Sequence, residues 1–260
     1  MNDEQPLLLE ERDARGVVTL TMNSPKTFNA LGDDMLAALQ SAVDRIASDG
    51  SVRAVVIAGS GKAFCAGHNL KEMIARPERA YYEDLFARCS RLMLSIQALP
   101  VPVIARVHAI ATAAGCQLVA QCDLAVASTD ASFAISGVNF GLICGTPSVA
   151  LVRNLPVKQA MEMMLTGDFI DANEARERAL VNRVVPPEQL DDEVERLVAS
   201  IVAKPRFAIA LGKELFYRQR EMGTAAAYQL ANQVMATNMI HECAQEGVTA
   251  FVEKRKPSWK

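Results

Sequence analysis

Residues 53–73 read RAVVIAGSGKAFCAGHNLKEM. They begin as a β-branched apolar strand, Arg53–Ala58, pass through small residues and enter a short helix near Asn69. A second stretch repeats the pattern. Val101–Val107 (VPVIARV) is continuously apolar, and Ala111-Thr112-Ala113-Ala114-Gly115-Cys116-Gln117-Leu118 turns from it into a short buried helix over Ala114–Gln121. Apolar runs without polar alternation are strands buried on both faces, as in parallel sheets covered by helices.

The same reading extends outward. Gly16–Met22 (GVVTLTM) is a β-branched strand, and Leu31, Met35, Leu36, Leu39, Val43 and Ile46 recur at helical spacing before Arg53. A helix is predicted over about 79–98 and a buried strand over Leu124–Ala127. From about 156 strand signals nearly vanish. Helices are predicted near 157–165, 171–178, 188–203, 206–221 and 224–241. The chain therefore reads as an α/β core, residues 1–195, followed by a helical region, residues 196–260, with no Pro/Gly linker between them.

The 260 residues are half hydrophobic and 22% charged, which excludes intrinsic disorder and provides for a sizeable core. Lys+Arg 27 against Asp+Glu 30 leaves no positive field for nucleic acid. The longest uncharged stretches are 107–122, too short to span a bilayer, and 131–152, interrupted by Gly137, Asn139, Gly141, Gly145 and Pro147. No membrane partner is expected. The N-terminal MNDEQPLLLEERD is acidic, without the order of a signal peptide or the Arg-rich bias of a transit peptide. Cys65, Cys89, Cys116, Cys122, Cys144 and Cys243 lack C-x-x-C spacing. Together these features predict a reduced, cytoplasmic protein with free thiols.

Several common chemistries are missing. Ala58–Ala63 (AGSGKA) resembles part of a P-loop, but Val56 stands where that loop needs its first glycine and Ala63 where it needs Ser/Thr. No G-x-G-x-x-G opens a helix, and no G-x-S-x-G is present. His68, His108 and His241 have no ligand spacing, so no metal is expected.

The two turns carry the signal. Small residues there let backbone N–H groups approach a ligand, and a helix N-terminus adds partial positive charge. Two such turns facing each other make an oxyanion hole. Spacing alone favours a plainer reading, in which Ala113, Ala114 and Gly115 only allow tight helix–strand packing.

Lys62–Met73, Ala113–Asp123 (AAGCQLVAQCD) and Phe251–Lys256 (FVEKRK), in that order, resemble the crotonase superfamily, the enoyl-CoA hydratase/isomerase family. FCAGHNLKEM followed by ATAAGCQLVA is most similar to its enoyl-CoA hydratase domain-containing members. The resemblance runs from about Gly16 to Trp259. It implies a superhelix of repeated ββα units, a helical C-terminal trimerisation region, a homotrimer or dimer of trimers, and an acyl-CoA thioester as ligand. No cofactor is expected beyond the coenzyme A of the substrate. By the same resemblance the backbone N–H groups of His68 and Ala114 form the oxyanion hole. Ala66, Leu70 and Lys71 lie near the adenine and pantetheine, and Lys62 and Lys254 near the phosphates.

The sequence departs from the family at its acids. The two hydratase glutamates fall at Gln117 and Gly137, and the aspartate of a related dienoyl isomerase falls at Gly145. One general acid–base group contributes about 10²–10⁴-fold, so hydration should be largely lost. An oxyanion hole, worth about 10²–10³-fold per donor, should survive. Decarboxylation of a malonyl-type CoA fits that machinery, because loss of CO₂ generates the enolate without a base. A decarboxylase of this superfamily also carries Ala-Gly-His at the first turn, as Ala66-Gly67-His68 does. The alternatives are an enoyl-CoA hydratase (a lyase) of fatty-acid metabolism and a non-catalytic acyl-CoA-binding protein. The acyl group itself is not legible. Met73, the 79–98 helix, Phe140 and Leu142 are the expected pocket walls, and Asn139 and His68 the groups that would have to replace the acids.

Overall fold

Strands of the chain alternate between two sheets in the computed structural model, which describes residues 6–259; the first five residues of the acidic N-terminal stretch and Lys260 lie outside the described residues. In chain order the elements are β1 (Leu8–Arg12), β2 (Val17–Met22), α1 (Asp33–Ser48), β3 (Ala54–Gly59), β4 (Ala63–Cys65), α2 (Leu70–Ala75) and α3 (Arg79–Ala98). There follow β5 (Val103–Val107), β6 (Ile110–Thr112), α4 (Ala114–Gln121), β7 (Leu124–Ser128), β8 (Ser132–Ala134), α5 (Gly145–Leu151) and α6 (Val157–Thr166). The remainder is β9 (Ile170–Asp171), α7 (Ala172–Glu177), β10 (Arg183–Val185), α8 (Leu190–Val202), α9 (Arg206–Gln219), α10 (Thr224–Ile240) and α11 (Glu242–Val252).

The large sheet has the order β1-β2-β3-β5-β7-β10 and the small one β4-β6-β8-β9. All pairings are parallel except β1 with β2 and β8 with β9. A strand of the large sheet, a short strand of the small sheet and a helix thus make a repeating ββα unit: β3-β4-α2, β5-β6-α4, β7-β8-α5. Because β4, β6 and β8 are parallel neighbours, the turns that follow them emerge side by side. The fold brings the motifs together by repetition.

The core explains the unalternated strands. On β3, Val55 and Ile57 join the main cluster, which includes Leu36, Leu39 and Val43 of α1 and Leu92 and Ile96 of α3. Ala54 and Val56 face the other side, against Leu190, Val194 and Val198 of α8. Both faces are covered, so both must be apolar. The predicted strand from Val101 starts at Val103 instead; Pro102 has no N–H for the ladder, and only its carbonyl pairs, accepting from Val55 at 2.9 Å.

The boundary expected at 195/196 falls inside α8, whose buried residues belong to the core; packing thins only after it, at 203–206. Beyond that point α9 is fastened by a buried ion pair. Lys213 Nζ lies 2.7 Å from Asp123 Oδ2 and donates to the Ile96 and Val101 carbonyls, while Tyr217 donates to Asp123 Oδ1 at 2.8 Å. None of the residues of α10 is buried in the single chain, and Met235, Met239, Ile240, Phe251 and Val252 are exposed. Among the described residues no helix is long and apolar enough to cross a membrane, no His/Cys/Asp/Glu cluster suits a metal, and all six cysteines are free.

Candidate active site

The first turn, after β4, is held from three sides. Leu31 donates its N–H to the Gly67 carbonyl at 2.7 Å in a parallel bridge between Leu31 and His68. In such a bridge the His68 N–H is turned away from Leu31 and left for another acceptor. Ala66 N–H reaches the Phe28 carbonyl at 3.0 Å. Buried Asn29 donates to the carbonyls of Ser60 and Ala63, both at 2.8 Å, and of Phe64 at 3.2 Å. Gly67 has φ +88°, a left-handed conformation that glycine adopts without strain.

The second turn, after β6, is strained instead. Ala113 has φ +50° and ψ −120°, a region costly for a residue with a side chain. Its N–H is pinned to the Ala134 carbonyl at 3.0 Å. Ala114 then opens α4, and the first N–H groups of a helix have no intrahelical acceptor. The two turns touch. A methyl group on Gly67 would lie 2.9 Å from Ala113 Cβ and 3.1 Å from Ala114 N. Gly115 serves packing, as the plainer reading held, since a methyl there would meet the Cys65 carbonyl at 2.0 Å. Facing turns and tight packing are both present, at adjacent residues.

His68 donates from Nδ1 to the Leu31 carbonyl at 3.1 Å, which leaves Nε2 as the unprotonated nitrogen, buried without a partner. Its ring lies 5.5 Å from that of Phe86, and burial pulls its pKa below the usual imidazole value. Gln117, one turn along α4 from Ala114, is 3% exposed, and its Oε1 has no partner. The acid nearest the first turn in sequence, Glu72, is already engaged. It accepts from Asn69 Nδ2 at 2.6 Å and from Asp33 N–H at 3.0 Å, capping α1.

The third turn, after β8, carries Gly137. Ser136 Oγ meets Thr112 Oγ1 at 2.7 Å, so this turn abuts the second. Gly137 is buried and is not in the left-handed region. Gly145 opens α5 with only Ile143 within 4 Å of a Cβ built there. Asn139 donates to the Gly167 carbonyl at 3.1 Å and is thereby tied away from acid–base work. Of the expected walls, Met73 is half-buried against the core, while Phe140 and Leu142 are exposed.

The ligand-binding candidates divide. Lys62, Ala66, Leu70 and Lys71 cluster at the first turn; both lysines and Leu70 are exposed. The segment carrying Lys254 is anchored elsewhere. Trp259 Nε1 donates to the Ala203 carbonyl at 3.0 Å, and Arg206 to the Val52 carbonyl at 3.0 Å, beside the N-terminal end of β3. Lys62 follows the C-terminal end of that strand. One chain does not bring the two lysines together. Sequence reading missed Asn29, Leu31, the Thr112–Ser136 pair and Cys144; the first two lie some 35 residues before the motif they hold and carry no local signal.

Comparison with known proteins agrees with this geometry. The sequence profile described as enoyl-CoA hydratase/isomerase matches residues 12–260. The chain is 42% identical over 257 residues to enoyl-CoA hydratase domain-containing protein 3, mitochondrial, of Homo sapiens, covering 99% of this chain and 85% of that protein. The same protein of Xenopus laevis is 44% identical over 254 residues, covering 98% and 86%. Among solved structures, an enoyl-CoA hydratase of Mycobacterium smegmatis superposes with a TM-score of 0.97 at 63% identity, covering 98% of this chain and 99% of that one. The human domain-containing protein 3 superposes at 0.94 and 42%, covering 98% and 100%.

The vertebrate relatives are mitochondrial proteins, which overturns the cytoplasmic expectation. Free thiols and an acidic start suit any reducing compartment and did not discriminate between them. The facing turns, the repeated ββα units and the full-length similarity agree: the fold is that of the crotonases, and the chain belongs to the enoyl-CoA hydratase/isomerase family.

Proposed function

We propose that this protein binds an acyl-CoA thioester and stabilises its enolate through the N–H groups of His68 and Ala114, without a carboxylate pair to activate water. The observation that supports this reading is the close approach of the two turns, where a methyl group on Gly67 would lie 3.1 Å from Ala114 N, next to the His68 N–H that the Leu31 bridge leaves unused. Preorganised donors at a developing oxyanion do not reorganise during reaction, and each is worth about 3–4 kcal/mol. The reaction that fits is one whose enolate forms without a base, such as decarboxylation of a malonyl-type thioester. Hydration, the activity in the names of several relatives, is the second reading. Gln117 and Gly137 argue against it, since neither side chain can take up or release a proton.

A homotrimer or dimer of trimers belongs to the same proposal. The unburied α10 and the exposed Ile240, Phe251 and Val252 support it, and so does the anchoring of Lys254 away from Lys62 within one chain. Incubation with a panel of CoA thioesters, read by mass spectrometry, tests the chemistry. Conversion of a malonyl-type thioester with little crotonyl-CoA hydration is expected; efficient hydration would reverse the order of the two readings. Calorimetry with acetyl-CoA and dephospho-CoA tests the binding. No heat with either would overturn it.

A further inference from the structure

Gly137 needs no glycine for its backbone, because its φ is outside the left-handed region. It needs glycine for space. A methyl group there would lie 2.6 Å from Cys144 Sγ and 2.9 Å from the Leu142 carbonyl oxygen. Leu142 in turn donates its N–H to the Gly137 carbonyl at 3.0 Å, folding residues 141–144 back over the third turn. The Cys144 thiol therefore fills the volume that a side chain at 137 would occupy. It packs on the main core cluster, and α5, which begins at the next residue, lies along α4. On α4 the buried Gln117 Oε1 has no hydrogen-bond partner within the protein.

We infer that Cys144 is the side chain that sets the reach of the acyl pocket, closing off the space beside Gly137 against which the far end of the acyl group stops. The inference rests on the reading that the N-terminus of α4 holds the thioester oxygen. Given that anchor, the third turn lies next along the acyl chain, since Thr112 and Ser136 join the two turns directly. Replacing the thiol by nothing lengthens the pocket, and replacing it by a ring shortens it.

The test combines labelling and affinity. Wild-type protein is alkylated with a maleimide in the presence of acetyl-, butyryl- or octanoyl-CoA, and the modified peptide is read by mass spectrometry. Protection of Cys144 that grows with acyl length, with Cys243 labelled equally throughout, is expected. In calorimetry the preference for octanoyl- over acetyl-CoA should rise roughly tenfold in Cys144→Gly and fall roughly tenfold in Cys144→Phe, the range that one or two methylenes command in an apolar pocket. An unchanged preference in both variants, with acetyl-CoA still bound, overturns the inference alone. Absence of all acyl-CoA binding by wild-type protein overturns the underlying reading and the inference with it. Should Cys144→Phe not fold, the labelling series on wild-type protein decides.

Discussion

His68 and Leu31 are joined twice, by the backbone bridge and by the imidazole Nδ1, which donates to the Leu31 carbonyl at 3.1 Å. A carbonyl only accepts, so this bond puts the proton of the neutral ring on Nδ1 and leaves Nε2 bare. Burial lowers the His68 pKa, and it lowers that of His108 as well, whose Nε2 bonds the Gly61 carbonyl at 2.9 Å. The unfolded chain protonates these rings near the ordinary value of about 6.5, whereas the folded chain does so only at lower pH. Below that value the unfolded state binds more protons, and stability falls as pH falls. Urea unfolding between pH 7.5 and 5.5 should show this loss, and His68→Asn should flatten part of it. A pH-independent midpoint across that window would contradict the assignment.

Ala113→Gly should not destabilise the protein in the way a helix-flanking glycine usually does. Relief of the φ +50° strain, of order 1–3 kcal/mol, offsets the added freedom of the unfolded chain. A thermal midpoint equal to or above wild type, together with weaker acyl-CoA binding from a looser Ala114 donor, is the expected pair of results. A midpoint several degrees lower would show that the turn is not strained.

Lys213→Met leaves Asp123 charged and buried, still accepting from Val103 N–H at 2.7 Å and from Tyr217. Breaking a buried pair by removing one partner costs about 3–5 kcal/mol. The loss should appear as early release of α9, detectable by proteolysis in the 203–206 connection before global unfolding. Simultaneous loss of all structure would show that α9 and the core unfold as one unit.

Gln117→Glu alone should raise crotonyl-CoA hydration little, because hydration in this family positions water between two carboxylates. Gly137→Glu alone should fail for a steric reason, with an overpacking cost of about 1–3 kcal/mol against Cys144 and Leu142. The double substitution combined with Cys144→Gly should exceed the product of the separate effects, since groups acting as a unit are non-additive. Steady-state hydration rates of the four variants check this. Family-level hydration by wild-type protein would show that another residue does the work of the acids.

The large strands and helices were legible because their periods are long enough to recognise; Arg79–Ala98 and Ala114–Gln121 are found where spacing placed them. β4, β6 and β8 were not, since three residues carry no period, and yet these strands align the three turns. At the site, the two motif turns were legible as small residues between strand and helix. What occupies the place of the second acid was not. Cys144 lies seven residues from Gly137, and only the fold-back of 141–144 sets its sulfur there. Lys254 was recognised by motif, but its place in the chain follows from Trp259 and Ala203, a contact that spans 56 residues.

The clamp of Asn29 on β4 has a dynamic consequence. Its three carbonyl partners, with the Ala66–Phe28 and Leu31–Gly67 bonds, tie residues 24–31 and the first turn into one opening unit. The His68 donor then loses its position when that segment detaches, and amide exchange at Leu31 and Ala66 should proceed at a single shared rate. Mobility of a loop remote in sequence becomes the clock for the presence or absence of the oxyanion hole.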